Sequence, residues 1–165
     1  MQLNHYNTNF ESKTFPITLV CDNVTNAPNI GSLFRISDAF GVERIIFCGS
    51  NIPLGRKMTK TSRATEKTVQ HNLSSSILQT ITELKKERYV IISLEITHTS
   101  QAIHDFKVPN NEKIALIIGD ENFGIQEHIL ALSDAVVHVN MYGKNSSMNV
   151  VQATNIALYE FTKPN

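Results

Sequence analysis

Three short polar segments of the chain carry residue types that could perform chemistry. The segment NAPNIGSLFR (26–35) ends on Arg35, IIGDENFGI (117–125) places two acids between two glycines, and NSSMN (145–149) contains Ser147 and Asn149. An arginine fork suits a phosphate or a developing oxyanion. A hydroxyl and an amide presented together can orient a polar substrate by hydrogen bonds. The segments therefore predict a site that handles oxygen atoms of a substrate.

The segment IIGDENFGI does not match a known phosphate-binding loop. Four residues separate Gly119 from Gly124, so the spacing fits neither G-x-G-x-x-G nor a Walker A loop, which also needs Lys followed by Ser or Thr. The carboxylates of Asp120 and Glu121 would repel a phosphate. Taken alone, the segment favours an ordinary strand-to-helix turn with acids near a helix N-terminus.

The other two segments also have plain structural interpretations. Helical spacing puts Arg35 beside Asp38, so a surface cation or an ion pair is open. In the third segment, capping of the last helix by Asn145, Ser146 or Ser147 is open as well. A serine hydrolase is excluded, because the chain has no G-x-S-x-G elbow.

Length and composition bound the kind of protein. The chain has 165 residues, 41% of them hydrophobic, which fits one core. We expect a flexible arm at 1–14 and a single domain at 15–165. The chain shows neither a membrane-length apolar run nor a signal peptide, so we expect a soluble, cytoplasmic protein. Cys21 and Cys48 lie in apolar runs and are predicted to be buried free thiols, and the scattered histidines predict no metal.

Charge is balanced overall but uneven locally. A formal net charge of zero argues against a protein that coats nucleic acid through bulk charge. Between Ser50 and Ala64, however, four basic residues occur without an acid. The stretch is interpreted either as a solvated loop or as a loop that contacts phosphates of RNA. The four are Arg56, Lys57, Lys60 and Arg63.

Hydrophobic runs alternate with helical patterns along the chain. Runs buried on both faces, followed by helices, predict an α/β fold with a mostly parallel sheet covered on both sides. Ligands of such sheets bind at the carboxyl ends of the strands, where the three polar segments would converge. The predicted strands are 17–22, 44–49, 89–95, 113–119 and 135–141, and the predicted helices 30–40, 76–88, 126–132 and 147–161.

The three segments, taken in order, resemble the motifs of the SpoU family of RNA ribose 2′-O-methyltransferases, in the SPOUT superfamily. The segment SLEITHTSQAIHDF (93–106) resembles the stretch before the family's second motif, and the likeness covers about 15–162. It implies a C-terminal deep trefoil knot and S-adenosylmethionine (SAM) as cofactor. It further implies a homodimer with its active sites at the interface and RNA, either tRNA or rRNA, as substrate.

The resemblance also implies roles for individual residues. Arg35 would orient the ribose hydroxyl, with RNA phosphate or water as the proton acceptor, while Ser147 and Asn149 would order the reacting groups. The remaining assignments are a cofactor set and an RNA set. The cofactor set is Leu94, Gly119, Glu121, Gly124, Val139, Met141, Ser147 and Met148. The RNA set is Asn29, Arg35, Arg56, Lys57, Lys60, Arg63 and Lys144.

The chain departs from the family pattern in two ways. Val139-Asn140-Met141 stands where the family usually has Ile-Pro-Met, and we expect no room for the added RNA-binding domain that many members carry. Two other classes stay open: an inactive SPOUT-fold factor for RNA binding or assembly, and a flavodoxin-like nucleotide-binding module. Failure to bind SAM would favour the first of these, and a bound flavin spectrum the second.

Overall fold

One seven-stranded sheet, parallel throughout, organises the protein. The computed structural model describes residues 10–108 and 112–164. In space the strands run in the order β3-β2-β1-β6-β4-β7-β5. The strands are β1 (Phe15–Asp22), β2 (Val42–Cys48), β3 (Gln70–Ser74), β4 (Tyr89–Leu94), β5 (Gln101–Ala102), β6 (Lys113–Ile118) and β7 (Ala135–His138).

Helices cover both faces of the sheet, which confirms the predicted α/β class. Side chains of α1 and α5 pack on the face that carries Leu19, whereas α3 and α4 pack on the face that carries Val20. Successive residues of β1 thus point into two different cores, as expected of a strand buried on both sides. The helices are α1 (Ala27–Ala39), α2 (Arg56–Ser62), α3 (Ile77–Lys86), α4 (Glu127–Leu130) and α5 (Val150–Thr162).

All five predicted strands are present, but two further strands went unpredicted. The strand β3 has the sequence QHNLS, and its first four side chains are exposed at the edge of the sheet. Hydrophobic patterning cannot find such a strand, because only its backbone pairing to β2 holds it. The strand β5 has only two residues. Of the predicted arm, residues 1–9 lie outside the described residues, and 10–14 have no regular structure.

The prediction of a loop across the basic stretch was wrong for 56–62, which form α2. This helix buries Met58 and Ser62 against α1. Gly31 in α1 permits the close approach, since a Cβ atom there would lie 2.1 Å from Thr61 Oγ1 and 2.2 Å from the Met58 carbonyl oxygen. Tertiary packing, rather than local hydrophobic periodicity, therefore makes this helix.

Both cysteines are buried and free, as predicted. They belong to cores on opposite faces of the sheet. Burial raises the pKa of both thiols, well above its ordinary value for Cys21. In the described ranges no cluster of three His, Cys, Asp or Glu side chains could hold a metal ion. Nor does any helix of those ranges have the length and apolar character needed to cross a bilayer.

Candidate active site

The three polar segments meet at the carboxyl end of the sheet. Asn29, near the start of α1, donates from Nδ2 to Glu121 Oε1 at 2.8 Å. Its Oδ1 accepts a hydrogen bond from Asn149 Nδ2 at 3.2 Å. One amide side chain thus joins all three segments, which confirms their predicted convergence.

Helix caps position two of these side chains. Asn26 caps α1 by accepting from the Asn29 amide at 3.0 Å, which places Asn29 in the first turn facing Glu121. Asn149 caps α5 by accepting from the Val151 amide at 2.8 Å, so the prediction of a cap at 145–147 was wrong. Its Nδ2 atom is then available to Asn29, and Ser147 lies before the helix.

The turn after β6 closes on itself through its two glycines. A Cβ atom on Gly119 would lie 2.5 Å from the Gly124 carbonyl carbon and 2.6 Å from the Ile125 nitrogen. Gly124 itself has φ +64°, where side chains are disfavoured. Asp120 Oδ1 accepts from the Asn122 and Phe123 amides at 2.8 and 2.9 Å, holding the tip of the turn. The glycines therefore serve close backbone packing, not the cradling of a phosphate.

A cavity of about 690 Å³ opens where this turn faces the chain after β4 and the chain after β7. Its volume is in the range of sites for cofactor-sized ligands. Every residue of the predicted cofactor set lies on its wall. These residues are Leu94, Gly119, Glu121, Gly124, Val139, Met141, Ser147 and Met148, and the predicted Asn149 joins them.

The wall of this cavity is electrostatically one-sided. It contains three carboxylates, those of Glu95, Asp120 and Glu121, whereas the described residues contribute no Lys or Arg to it. Carboxylates without cationic neighbours attract a positively charged ligand and repel phosphate. The cavity therefore suits a cation-bearing ligand with apolar parts that can rest on Leu94, Val139 and similar side chains.

Asp22 adds a buried acid at the same edge of the sheet. It ends β1, is 5% exposed and accepts from Asn23 Nδ2 at 3.0 Å. Burial raises its pKa, and the charge of Asp120 acts in the same direction, whereas His128 and the Asn23 hydrogen bond lower it. Burial, assisted by the charge of Asp120, thus makes the charged form of Asp22 less favourable.

Comparison with known proteins identifies the family. The model of the SpoU rRNA Methylase family matches residues 16–159, nearly the whole chain. The chain belongs to the SpoU rRNA methylase family. This confirms the resemblance drawn from the three motifs.

Proteins similar to this chain include enzymes that act on rRNA and on tRNA. The chain is 28% identical over 147 residues to the 23S rRNA (guanosine-2′-O-)-methyltransferase RlmB of Ralstonia nicotianae, covering 88% of this chain and 57% of that protein. The TrmH/SpoU tRNA modifying enzyme of A. aeolicus has a TM-score of 0.81 at 25% identity, with 91% and 75% covered. An AdoMet-bound rRNA methyltransferase of Sinorhizobium meliloti shares the fold, with a TM-score of 0.83, 18% identity and 92% and 57% covered. The chain thus spans little more than half the length of two of these three.

Arg35 lies outside the cavity wall. It is exposed on α1, about 9 Å along the helix axis from Asn29 by the standard rise per residue. No ion pair joins it to Asp38 or to any other side chain of the described ranges. Asp38 instead accepts from Thr68 Oγ1 at 3.3 Å. The guanidinium is therefore available to a ligand that approaches along α1.

The predicted RNA-binding cations form no part of the cavity. Arg56, Lys57 and Lys60 are exposed on α2, and Arg63 follows that helix with φ +55°. Because α2 packs on α1, these cations and Arg35 belong to the same helix pair. Lys144 is exposed in the loop before α5.

Sequence reasoning missed Glu95, which follows β4 and lies on the cavity wall. Its position directly after an apolar strand, at the edge where the motifs meet, was a usable signal. It also missed His138 at the end of β7, whose Nδ1 lies 2.9 Å from Ser100 Oγ. The contact of Asn29 with RNA stays a prediction, and its side chain bonds Glu121 and Asn149.

Proposed function

We propose that this protein transfers a methyl group from SAM to a ribose 2′-hydroxyl of RNA. The observation that carries the proposal is a cavity at the junction of the three motifs whose wall has three carboxylates and, among the described residues, no Lys or Arg. Membership of the SpoU family supports it, as do the named activities of relatives on 23S rRNA and tRNA. Relatives of both kinds leave tRNA and rRNA as the two candidate substrates.

The residues of the cavity fit SAM chemically. SAM carries a sulfonium, an ammonium and one carboxylate, so its net charge is positive and it has no phosphate. The wall carboxylates that disfavour a nucleotide phosphate therefore favour the two cationic groups of this cofactor. When bound, it supplies a methyl group already activated for displacement. Leu94, Val139, Met141 and Met148 offer apolar contact for the adenosine, and the backbone of the Gly119–Gly124 turn offers hydrogen-bonding groups. Glu121 is held by Asn29 and braces the wall.

Arg35 is proposed to orient the ribose hydroxyl and to stabilise negative charge that develops on its oxygen. A guanidinium stays protonated in proteins, so it does not accept the proton. A neighbouring RNA phosphate or water is left as the acceptor. Ser147 and Asn149 order the reacting groups from the start of α5, where Asn149 is already fixed by its bonds to Val151 and Asn29.

Binding of SAM and transfer of methyl can be tested separately. Calorimetry should detect SAM binding and no binding of ATP, and tritiated SAM should label substrate RNA at ribose 2′-oxygens. Arg35→Ala should bind SAM like the wild type but transfer methyl at least about a hundredfold more slowly, the scale for loss of a positioned catalytic group. Unchanged turnover would refute the role of Arg35. Absence of SAM binding by the wild type would refute the proposed function and favour an inactive RNA-binding factor.

The RNA backbone is proposed to lie along α2, with Lys144 as a further contact. Arg56, Lys57, Lys60 and Arg63 supply the cations. Each phosphate contact made by a cation releases counterions, so Lys60→Ala should weaken RNA binding and reduce the slope of log affinity against log salt by about one. Lys86→Ala, in the exposed last turn of α3, is the matched control. An equal slope in both variants would contradict this interface.

The C-terminal part of the chain is proposed to form a deep trefoil knot. The strand order supports this proposal. The short segment 95–100 connects β4 to β5, and β7, which comes later in the chain, lies between these two strands in the sheet. The later chain must therefore enter the sheet beside that segment. True knots are rare exceptions among folds. A crystallographic chain trace that untangles when its ends are extended would contradict the proposal.

We propose that residues 15–165 act as a single catalytic domain in a cytoplasmic homodimer with the active sites at the interface. Large apolar side chains support the dimer, since Phe123 and Tyr142, on the two loops around the cavity, are 84% and 91% exposed. Tyr159 on α5 is 57% exposed. Sedimentation equilibrium should give about twice the chain mass of 18.5 kDa. A single-chain mass at micromolar concentration would contradict the dimer.

A further inference from the structure

The segment 95–100, between β4 and β5, is tied by hydrogen bonds both to the turn after β6 and to the end of β7, which form the other two walls of the cavity. At its start, Glu95 reaches the turn after β6, where its Oε2 accepts from the Ile125 amide at 2.9 Å. At its end, Ser100 Oγ lies 2.9 Å from Nδ1 of His138, the last residue of β7. The cavity wall is thus tied together at two points by one short segment.

Glu95 makes the more extensive of these ties. Its Oε1 accepts from the Ile96 amide at 3.0 Å, and its own amide donates to the Val137 carbonyl at 2.9 Å. Both carboxylate oxygens therefore accept hydrogen bonds from backbone N–H groups. Such hydrogen bonds are strong because the acceptor is charged. The side chain is thus held by the next residue and by the turn, while the backbone of Glu95 is tied to β7.

The glycine of the turn makes room for this carboxylate. A Cβ atom on Gly124 would lie 2.5 Å from Glu95 Oε2 and 3.3 Å from its carboxyl carbon. Gly124 in turn packs against Gly119, where a Cβ atom would meet its carbonyl carbon at 2.5 Å. The position of Glu95 and the closed form of the turn therefore depend on each other.

We propose that Glu95 is a positioning residue that holds the Gly119–Ile125 turn closed in the form that binds SAM. The inference rests on the proposed function. It assigns to Glu95 the geometry of the cofactor wall and no contact with the reacting atoms. Loss of the carboxylate frees the Ile125 amide and lets the turn open, so SAM must close it again on binding. The expected result is weaker SAM binding with little change in the affinity for RNA.

Hydrogen exchange of the free protein tests the brace without any ligand. In Glu95→Ala, the Ile125 amide should exchange at least about tenfold faster, since a hydrogen bond to a charged group is lost. Glu95→Gln can still direct one carbonyl oxygen to that amide and should remain closer to the wild type. Glu83→Ala, on the exposed side of α3, is the control and should leave this amide unchanged. Equal exchange in wild type and Glu95→Ala would overturn the proposal.

Cofactor titrations test the consequence. Glu95→Ala should raise the SAM dissociation constant at least about tenfold, and the rise should appear in KM for SAM more than in kcat. Glu95→Gln should recover part of the loss. A fall in kcat alone, or an unchanged SAM affinity with faster Ile125 exchange, would overturn the proposal. A wild type that fails to bind SAM would instead refute the proposed function, while the exchange result still decides the brace.

A double-mutant cycle isolates the contact between Glu95 and Gly124. Gly124→Ala suffers from its positive φ in any background, but its collision with the carboxylate exists only when Glu95 is present. Urea unfolding gives the factor by which Gly124→Ala lowers the equilibrium constant for folding. This factor should therefore be smaller in the Glu95→Ala background than in the wild type. Additive effects would show that the two residues act independently and would overturn the proposal.

Discussion

Gly119→Ala is the sharpest test of how the candidate cofactor wall is built. A Cβ atom at this position would lie 2.5 Å from the Gly124 carbonyl carbon, 2.6 Å from the Ile125 nitrogen and 2.7 Å from the Gly124 carbonyl oxygen. Ordinary van der Waals contact begins near 3.4 Å. All three atoms belong to backbone, so no side chain can rotate away to relieve the overlap.

The backbone of the turn must therefore move. Inserting one carbon into a close-packed site costs about 1–3 kcal/mol. For a domain of this size each kcal/mol lowers Tm by about 2–4 °C, so the expected loss is about 2–12 °C. Displacement of the turn should also weaken SAM binding, because the same turn forms one wall of the cavity. Gly119 is not among the glycines with positive φ, so alanine there meets no left-handed backbone conformation that disfavours a side chain.

Calorimetric unfolding and SAM titration measure the two effects. Gly55→Ala is the matched control, because Gly55 also has an ordinary φ and a Cβ atom there would meet nothing within 4 Å. Gly55→Ala should keep SAM affinity and lower Tm by no more than about 4 °C, the cost of alanine in place of glycine at the N-cap of α2. If Gly119→Ala matched this control in both measurements, close packing of the turn would not be the reason for its glycine.

Two further changes probe the surroundings of the site. Gly31→Ala should destabilise the protein by about 1–3 kcal/mol despite the better helix propensity of alanine, because its Cβ would overlap Thr61 and separate α2 from α1. Urea unfolding measures this, and a stabilised variant would contradict it. Asp22 has its pKa raised by burial, so the folded state keeps that proton to a higher pH than the unfolded chain does. The resulting contribution to stability is present at low pH and is lost as pH rises through the folded pKa. Asp22→Asn should therefore gain stability relative to the wild type as pH rises from the ordinary carboxyl range through the raised pKa of Asp22, in paired denaturant titrations, and a constant difference would refute the assignment.

Local patterns in the sequence were sufficient where one segment decides its own structure. Apolar runs located the five buried strands, because burial on both faces leaves a nearly continuous hydrophobic signal. The pattern failed for β3, which is polar, and for α2, whose helix depends on packing against α1. The observed helix boundaries also differ from the predicted ones where the sequence placed a cap at the wrong residue. The last helix begins at Val150 because Asn149 caps it.

For the candidate site, too, some features follow from the sequence and others only from the tertiary structure. The sequence by itself determined which residue types are present, the order of the three motifs and, through their likeness to the SpoU family, the membership that the family model confirms. Only the tertiary structure decided that Asn29 bonds residues 92 and 120 positions away and that Glu95 reaches a turn 30 positions away. Periodicity and turn signals report on a few neighbouring residues, whereas these contacts depend on the order of strands in the sheet. That order brings distant loops to one edge, and only there do the glycines, the amide bridge and the carboxylates form one wall.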